Sequence, residues 1–280
     1  MGHPLVLVSN RGPATFERDA AGRLAPRRGG GGLVTALTGL LRQRDALWIA
    51  SAMTDEDSEV SREHGGRAFE FNLDGIDHRI RLVTSDEVAY DRFYNLIANP
   101  LLWFLQPSLW ALSHVPAIRP ADREAWELGY KQVNADLAAA TIEEIDDLDE
   151  PIVMLHDYHL YTCPALIRSA RPETFLQHFV HIPWTQPDAW RVLPVEIRNE
   201  IFAGLLSNDI IGFHTRSYCR NFLQCCRDLM NLETDFERGV VIRDGRETWV
   251  RAYPLPIDPD TFRAIASSEG VTQREGEILR

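Results

Sequence analysis

The chain of 280 residues lacks the features that mark several specialised classes of protein. Its four cysteines, two of them adjacent, form neither a disulfide framework nor a zinc site of the usual spacing. Basic residues are outnumbered, 29 against 41 acidic ones, and the net charge of −12 argues against duplex nucleic acid, whose binding requires clustered positive charge. No signal peptide is recognisable, and the uncharged stretch Phe93–Ile118 contains three prolines that would leave backbone groups unpaired in lipid. We therefore expect a cytoplasmic protein that binds neither nucleic acid nor membranes.

Familiar catalytic motifs are missing as well. There is no G-x-S-x-G, no Cys–His nucleophile signature and no set of kinase motifs. The glycine run at 29–32 precedes a helical pattern, and glycine backbone with helix N–H groups suits a phosphate, but the lysine and hydroxyl of a P-loop are absent. From the glycines alone, a phosphate-binding turn and a flexible surface loop are both open interpretations.

Five short apolar runs predict strands that are buried on both faces of a parallel sheet. They are Leu5–Ser9, Leu47–Ser51, Ile152–Leu155, Phe175–His181 and Asp209–Phe213. Helical patterns lie between them, at Leu33–Arg42, Asp122–Ile145, Cys163–Ala170, Glu196–Leu206 and Ser217–Leu229. Two antiparallel hairpins are predicted, Ala68–Leu73 with His78–Thr84 and Val240–Arg243 with Thr248–Tyr253. The alternation predicts one α/β domain with a doubly wound, mostly parallel, Rossmann-like sheet and added β-hairpins.

Ligands of open α/β sheets bind beyond the carboxyl ends of the strands, and polar residues follow the predicted strands here. Arg11, directly after the first strand, could bind a phosphate with two parallel hydrogen bonds. Asp157 could accept hydrogen bonds from sugar hydroxyls. The neighbouring histidines do not have metal-ligand spacing, and at least one of them is better interpreted as a hydrogen-bonded core residue. The aromatic residues between 90 and 126 suit carbohydrate stacking as well as core packing.

Taken together, these segments resemble the trehalose-6-phosphate synthases, the retaining glycosyltransferases of family 20. The resemblance covers nearly the whole chain, in family order. The motifs that carry it are Val8-Ser9-Asn10-Arg11, Gly31-Gly32-Leu33, Phe93-Tyr94-Asn95 through Leu102-Trp103, His156-Asp157-Tyr158-His159-Leu160, Val180-His181-Ile182-Pro183, Asp209–His214 and Tyr253-Pro254-Leu255-Pro256-Ile257-Asp258.

The resemblance implies that residues 1–280 are the N-terminal, acceptor-binding half of a two-domain enzyme of the GT-B type. A C-terminal donor-binding domain would then belong to the same or a separate chain, and a homo-oligomer is compatible with this arrangement. Such an enzyme transfers glucose from UDP- or GDP-glucose to glucose 6-phosphate with retention of configuration. No metal or other cofactor is implied, because the nucleotide-glucose is the donor substrate.

Matching motif positions also implies roles for individual residues. The implied acceptor-binding residues are Arg11, Tyr94, Trp103 and Asp157, and the implied donor-binding residues are Gly31, Gly32 and the backbone of His181. Asp157 and His181 are the implied catalytic residues, and they act by orienting the substrates. The resemblance also implies that the departing phosphate takes the proton of the incoming hydroxyl, so that no protein nucleophile is needed.

One departure from the family pattern leaves the acceptor open. Ser51 occupies the position after the second predicted strand where the family often has a tryptophan. The Ile49–Ala52 stretch and the run His181–Trp184 are also similar to validamycin-type pseudoglycosyltransferases, which join cyclitols through nitrogen. Tyr94 favours an ordinary sugar-phosphate acceptor. The alternatives are thus a related transferase with another sugar-phosphate or cyclitol acceptor, or a non-catalytic sugar-phosphate-binding domain.

Overall fold

A ten-stranded β-sheet organises the chain in the computed structural model, which describes residues 3–30, 32, 34, 37, 46–73, 75–106, 118–255 and 259–278. The strands found in these residues are β1 (Leu5–Ser9), β2 (Ala14–Arg18), β3 (Leu24–Arg28), β4 (Ala46–Ser51), β5 (Phe69–Leu73), β6 (Ile76–Val83), β7 (Ile152–His156), β8 (Phe175–Val180), β9 (Ile210–Phe213), β10 (Glu233–Asp235), β11 (Val240–Arg243) and β12 (Arg246–Ala252). Their order in the large sheet is β10-β11-β12-β9-β8-β7-β1-β4-β6-β5, and β2 and β3 form a separate hairpin.

The seven strands from β12 to β6 in this order are parallel, and antiparallel hairpins complete both edges of the sheet. From β1 the chain builds one side through β4 and β6, then returns to the other side of β1 with β7. Val8 is paired with Ile49 of β4 on one side and with Leu155 of β7 on the other. The order of the strands therefore reverses between β1 and β7, where an open α/β sheet forms a crevice at its carboxyl edge.

Helices connect the strands. The α-helices are α1 (Asp55–Glu63), α2 (Glu87–Asp91), α3 (Pro120–Ala125), α4 (Lys131–Ile145), α5 (Cys163–Ala170), α6 (Pro187–Trp190), α7 (Val195–Leu205), α8 (Arg216–Met230), α9 (Pro259–Ala266) and α10 (Glu269–Ile278). Two segments are wound as π-helix, Arg92–Trp103 and Trp126–Tyr130, and Tyr158–Leu160 forms a short 3₁₀-helix. Within the described residues, no helix has the length and apolar character needed to cross a lipid bilayer.

The main hydrophobic core lies between one face of the sheet and the helices that cover it. Successive side chains of a strand point to opposite faces, so Val6 and Val8 of β1 enter this core, where they share it with Phe93 and Tyr130 of the π-helical segments. The alternate residues of β1 and β4, among them Trp48, form a second cluster on the other face. Burial on both faces explains why these strands read as continuous apolar runs in the sequence.

The predicted doubly wound, mostly parallel sheet is confirmed, and each of the five predicted strands agrees with an observed one to within one residue at either end. Both hairpins are also confirmed, although β6 begins at Ile76, two residues earlier than predicted, and β12 likewise begins at Arg246, two residues earlier than predicted. The earlier start of β12 reflects a tight two-residue turn, in which Asp244 and Gly245 both adopt positive φ, 52° and 80°. The predicted helix Leu33–Arg42 lies mostly outside the described residues, of which Gly32, Val34 and Leu37 are helical.

Candidate functional site

Polar side chains that are distant in sequence meet at the carboxyl edge of the sheet, where the strand order reverses. Arg11 follows β1 and Asp157 follows β7, and these two strands are neighbours. Tyr94 is brought to the same edge by the π-helical segment Arg92–Trp103. A guanidinium group, a phenol and a carboxyl group therefore lie at the edge of the sheet where this topology predicts a crevice.

The guanidinium group of Arg11 is held by Tyr94. Its Nη2 donates a hydrogen bond of 3.0 Å to Tyr94 Oη, and this bond raises the pKa of Arg11. Burial acts to raise the pKa of Tyr94, but hydrogen bonds with Arg11 and Asn99 outweigh it and lower that pKa. Arg11 itself is exposed, and within the described part of the chain its remaining N–H groups have no partner. They are therefore free to bind an anion from the crevice.

Tyr94 belongs to a row of stacked rings. Its ring lies 6.0 Å from that of Tyr90 at an interplanar angle of 8°, and 6.0 Å from that of His159 at 15°. Tyr90 Oη donates a hydrogen bond of 3.1 Å to Asn10 Oδ1. Burial raises the pKa of Tyr90 to about 12, so its hydroxyl stays protonated. Because Tyr94 stacks against two neighbouring rings, its side chain has little freedom, and its hydrogen bond positions Arg11.

Asp157 has a strained backbone conformation. Its φ of 71° and ψ of 177° lie in a region that is essentially restricted to glycine and costs about 1–3 kcal/mol. Its Oδ1 accepts a hydrogen bond of 3.1 Å from the backbone N–H of His181. Burial raises the pKa of the carboxyl to about 7, although the N–H groups of Tyr158, His181 and Ile182 act to lower it. Strain and desolvation at one aspartate in a crevice mark it as a candidate functional residue.

The His181 ring lies in a cluster of imidazoles. His156 Nδ1 is 3.2 Å from His181 Nε2, and the ring of His214 is 5.7 Å from that of His181. Burial and the neighbouring His214 and His178 lower the pKa of His181 to about 3, and burial lowers that of His156 as well. These imidazoles are therefore neutral at physiological pH. Across the described residues, no three His, Cys, Asp or Glu side chains are arranged to hold a metal ion.

The glycine-rich stretch lies against the loop after β1. The Gly29 N–H donates a hydrogen bond of 2.9 Å to the carbonyl oxygen of Pro13. A Cβ at Gly29 would lie only 2.7 Å from the carbonyl oxygen of Gly12. Gly30, Arg11 and Ser51 line one cavity of about 20 Å³. Gly32 is exposed at the start of the helical residues, whereas Gly31 lies outside the described residues.

Asp157 lies close to Arg11 in the fold, whereas Trp103, another predicted acceptor-binding residue, has no observed polar or ring contact with Arg11 among the described residues. Asp157 lies at the neighbouring strand end, as described above. Trp103 is half-buried and packs edge-on against Phe104, with ring centroids 5.0 Å apart. Among the described residues, no hydrogen bond or ring contact joins Trp103 to Arg11 or Tyr94. Its assignment to the phosphate pocket therefore stays a prediction.

Sequence reasoning missed Asn99 and the hydroxyl of Tyr158. Tyr158 Oη donates a hydrogen bond of 2.8 Å to Asn99 Oδ1, and Asn99 also forms a hydrogen bond with Tyr94. These bonds connect the loop after β7 to the π-helical segment Arg92–Trp103. A tyrosine inside the His156–His159 motif was a visible signal, but Asn99 carried none. Its role depends on the winding of a helix whose period differs from the usual 3.6 residues.

Asp157→Asn is expected to stabilise the fold more at pH 8 than at pH 4.5. The folded chain keeps the Asp157 proton up to its raised pKa of about 7, whereas an unfolded aspartate ionises near pH 3.9. The wild type therefore loses stability as the pH rises from about 4 to about 7, and asparagine, which does not titrate, avoids this loss. Urea unfolding at both pH values measures the difference, with Asp188→Asn as a control for the loss of one exposed charge. An equal effect at both pH values would show that the Asp157 carboxyl is not desolvated.

An open, mostly parallel sheet with an arginine and an aspartate at its switch point, the place where the strand order reverses, is typical of ligand-binding α/β domains. The model of glycosyltransferase family 20 matches residues 3–280, and the chain belongs to that family. The resemblance to trehalose-6-phosphate synthases and the expected GT-B type of fold are thereby confirmed.

Curated relatives and solved structures agree with this assignment. The chain is 34% identical over 278 residues to the UDP-forming α,α-trehalose-phosphate synthase of Zygosaccharomyces rouxii, a match that covers 96% of the chain and 53% of the relative. It is 33% identical to validamine 7-phosphate valienyltransferase of Streptomyces hygroscopicus subsp. jinggangensis, a match that covers 93% of the chain and 53% of the relative. The structure of the UDP-forming α,α-trehalose-phosphate synthase of Burkholderia xenovorans in complex with glucose-6-phosphate superposes with a TM-score of 0.71 at 21% identity. The superposition covers 97% of the chain and 55% of the solved structure. The chain thus spans about half the length of the relatives it matches.

Proposed function

We propose that this chain is the acceptor-binding half of a retaining glucosyltransferase, which forms trehalose 6-phosphate from a nucleotide-glucose and glucose 6-phosphate. The observation that carries the proposal is the Arg11–Tyr94 pair beside the strained Asp157 at the switch point. The curated synthase from Z. rouxii, at 34% identity, supports the same reaction. A donor-binding domain, in the same or a separate chain, completes the proposed enzyme.

In the proposed complex the acceptor phosphate binds the free N–H groups of Arg11, because a guanidinium group can donate two parallel hydrogen bonds to a phosphate. The carboxyl oxygens of Asp157 accept hydrogen bonds from the sugar hydroxyls, and the His181 N–H fixes the orientation of the carboxyl group. Phosphate at one end and hydroxyl contacts at the other fix both position and orientation, which is how an enzyme of this kind lowers the barrier.

The proposed donor diphosphate lies against Gly31 and Gly32, where the absence of side chains permits a close approach to the backbone. The bond between glucose C1 and the diphosphate oxygen breaks, and a bond from C1 to the acceptor oxygen forms on the same face. The acceptor proton passes to the departing phosphate oxygen, so charge and atoms balance without a protein nucleophile. The nucleotide-glucose enters as a substrate, and the proposed reaction includes no metal or other cofactor.

The reaction is tested with the chain supplied with a family donor-binding domain, in one polypeptide or as two. We expect release of nucleoside diphosphate from UDP- or GDP-glucose only when glucose 6-phosphate is present, with trehalose 6-phosphate as the product. Glucose in place of glucose 6-phosphate is the matched control. Binding of glucose 6-phosphate without turnover of either donor would instead identify a non-catalytic sugar-phosphate-binding domain.

Ser51 favours one second candidate, a transferase with a cyclitol phosphate as acceptor. The Ser51 hydroxyl lies in the cavity that it shares with Arg11 and Gly30, where it is buried and has no hydrogen-bond partner among the described residues. A buried hydroxyl without a partner is unfavourable, so an acceptor that bonds it would gain affinity. Validamine 7-phosphate and glucose 6-phosphate are therefore compared as acceptors. Preference for the former, reduced by Ser51→Ala, would support the cyclitol transferase.

A further inference from the structure

A second cationic region lies three to four strands away from Arg11, at the same edge of the sheet. A groove of about 610 Å³ separates the start of α8 from the β10–β11 loop and the end of β12. Among the described residues, four arginines line it, Arg216, Arg220, Arg238 and Arg251, against one carboxylate, that of Glu237. Such a concentration of positive charge is unexpected in a chain with a net charge of −12, and a volume of this size is typical of small-molecule sites.

One wall of the groove is rigid. Arg251 Nη1 donates to the carbonyl oxygens of Arg238, Gly239 and Val250 at 3.0, 2.9 and 2.9 Å. Both Arg238 and Arg251 place their guanidinium groups over the ring of Trp249, at 5.5 and 4.3 Å from its centroid. These contacts fix the two side chains, so little conformational entropy would be lost when a ligand binds them.

The charge of this wall is only partly neutralised. Arg238 forms two hydrogen bonds with Glu247, of 2.8 and 2.9 Å. Arg251 is bonded to backbone carbonyls and, within the described residues, to no carboxylate. Its guanidinium group therefore keeps its full charge at the groove.

The opposite wall carries two arginines whose charges oppose each other. Arg216 and Arg220 are exposed, four residues apart on one face of α8, and neither has an acidic partner in the part of the chain that the structure describes. Like charges at this spacing repel, and Arg216 also lies in the first turn, where the helix dipole disfavours cations. A bound anion would relieve both effects at once.

We propose that this groove is a second anion site, which binds a phosphate-bearing small molecule with two or more negative charges. The fixed Arg251 and the repelling pair Arg216 and Arg220 converge on it from opposite walls. Three strand spacings, about 14 Å, separate the ends of β1 and β9, so the site is distinct from the crevice at Arg11.

Cys219 gives a local readout of occupancy. It is half-buried and lines the groove, whereas Cys163, Cys225 and Cys226 are buried. The rate of Cys219 alkylation by N-ethylmaleimide, measured by mass spectrometry on the full chain, is compared with and without inorganic pyrophosphate. Sodium chloride at matched ionic strength is the reference. We expect pyrophosphate to slow alkylation of Cys219 at least about threefold, because a ligand in the groove covers the thiol.

Substitutions separate this site from the crevice. Arg220→Gln and Arg216→Gln are each expected to lower the pyrophosphate affinity about tenfold, the usual loss for one charge-assisted hydrogen bond. Arg11→Ala and Arg62→Gln, an exposed helical arginine elsewhere, should leave protection of Cys219 unchanged. Equal alkylation rates in pyrophosphate and sodium chloride would overturn the proposal. So would protection that persists at full affinity in both α8 variants.

Discussion

Arg11→Ala is expected to weaken the binding of glucose 6-phosphate about 100-fold. The substitution removes the charged donor that Tyr94 holds at the switch point, and charge-assisted hydrogen bonds contribute about 1.5–3 kcal/mol. Arg11 is exposed, so its truncation should not disturb the core. Isothermal calorimetry with the chain alone measures the effect, because the proposed phosphate contact requires no donor substrate.

The ligand supplies the sharpest control for Arg11. Glucose lacks the phosphate, so its affinity for wild type and Arg11→Ala should be equal, and the cycle of two proteins and two ligands isolates the coupling between guanidinium and phosphate. Tyr94→Phe, which removes one hydrogen bond to Arg11, should have a smaller effect in the same direction. If Arg11→Ala weakened glucose as much as glucose 6-phosphate, the loss would reflect a general disturbance and the proposed phosphate contact would be wrong.

Gly204→Ala is expected to lower the free energy of unfolding by about 3 kcal/mol. Gly204 lies in α7, where the helix crosses the backbone that leads into α5. A Cβ there would lie 3.0 Å from Thr162 Cα and closer still to the carbonyl oxygen of Tyr161. Backbone atoms cannot rotate away as a side chain can, so the helix must shift, and overpacking of this kind costs several kcal/mol in severe cases. Since whole domains have stabilities of about 5–15 kcal/mol, the loss should be plain in urea unfolding.

Gly276→Ala is the matched control for Gly204→Ala. Gly276 is also helical, but a Cβ at this position meets no heavy atom of the described residues within 4 Å. The higher helix propensity of alanine should therefore raise stability by up to about 1 kcal/mol. An unfolding midpoint of Gly204→Ala equal to that of the wild type would mean that α7 and the residues at 161–162 are not in close contact.

The parallel sheet could be predicted because each of its central strands has a recognisable pattern in its own short stretch of sequence. A strand buried on both faces must be apolar at every position, and Leu5–Ser9 and its counterparts meet that condition without reference to the rest of the chain. The hairpin of β2 and β3 was missed because Pro26 lies within β3, and proline ordinarily argues against a paired strand. The two π-helical segments were missed as well, since apolar spacing reveals a helix but not its winding.

Some features of the candidate site could likewise be predicted from local sequence, and others could not. Arg11 and Asp157 could be identified from the residues, because each directly follows a predicted strand and topology brings those strand ends together. Tyr94 is 83 positions from its partner Arg11, and only the family resemblance pointed to it. The positive φ of Asp157 could not be predicted, because the strain is imposed by tertiary contacts such as the bond of its N–H to Phe179 O.

Both outer hairpins turn at the amino edge of the sheet, the edge opposite Arg11. β6 and β12 are parallel to the central strands and begin immediately after the turns at Gly75 and Gly245. Both glycines are exposed, but their positive φ of 78° and 80° favours keeping them, so a linker is better attached through an exposed neighbour such as Asp244. These turns are therefore natural attachment points for a fluorophore, an affinity tag or a surface tether. A chain immobilised there would present its crevice and its arginine groove to solution, so that small ligands could be exchanged freely.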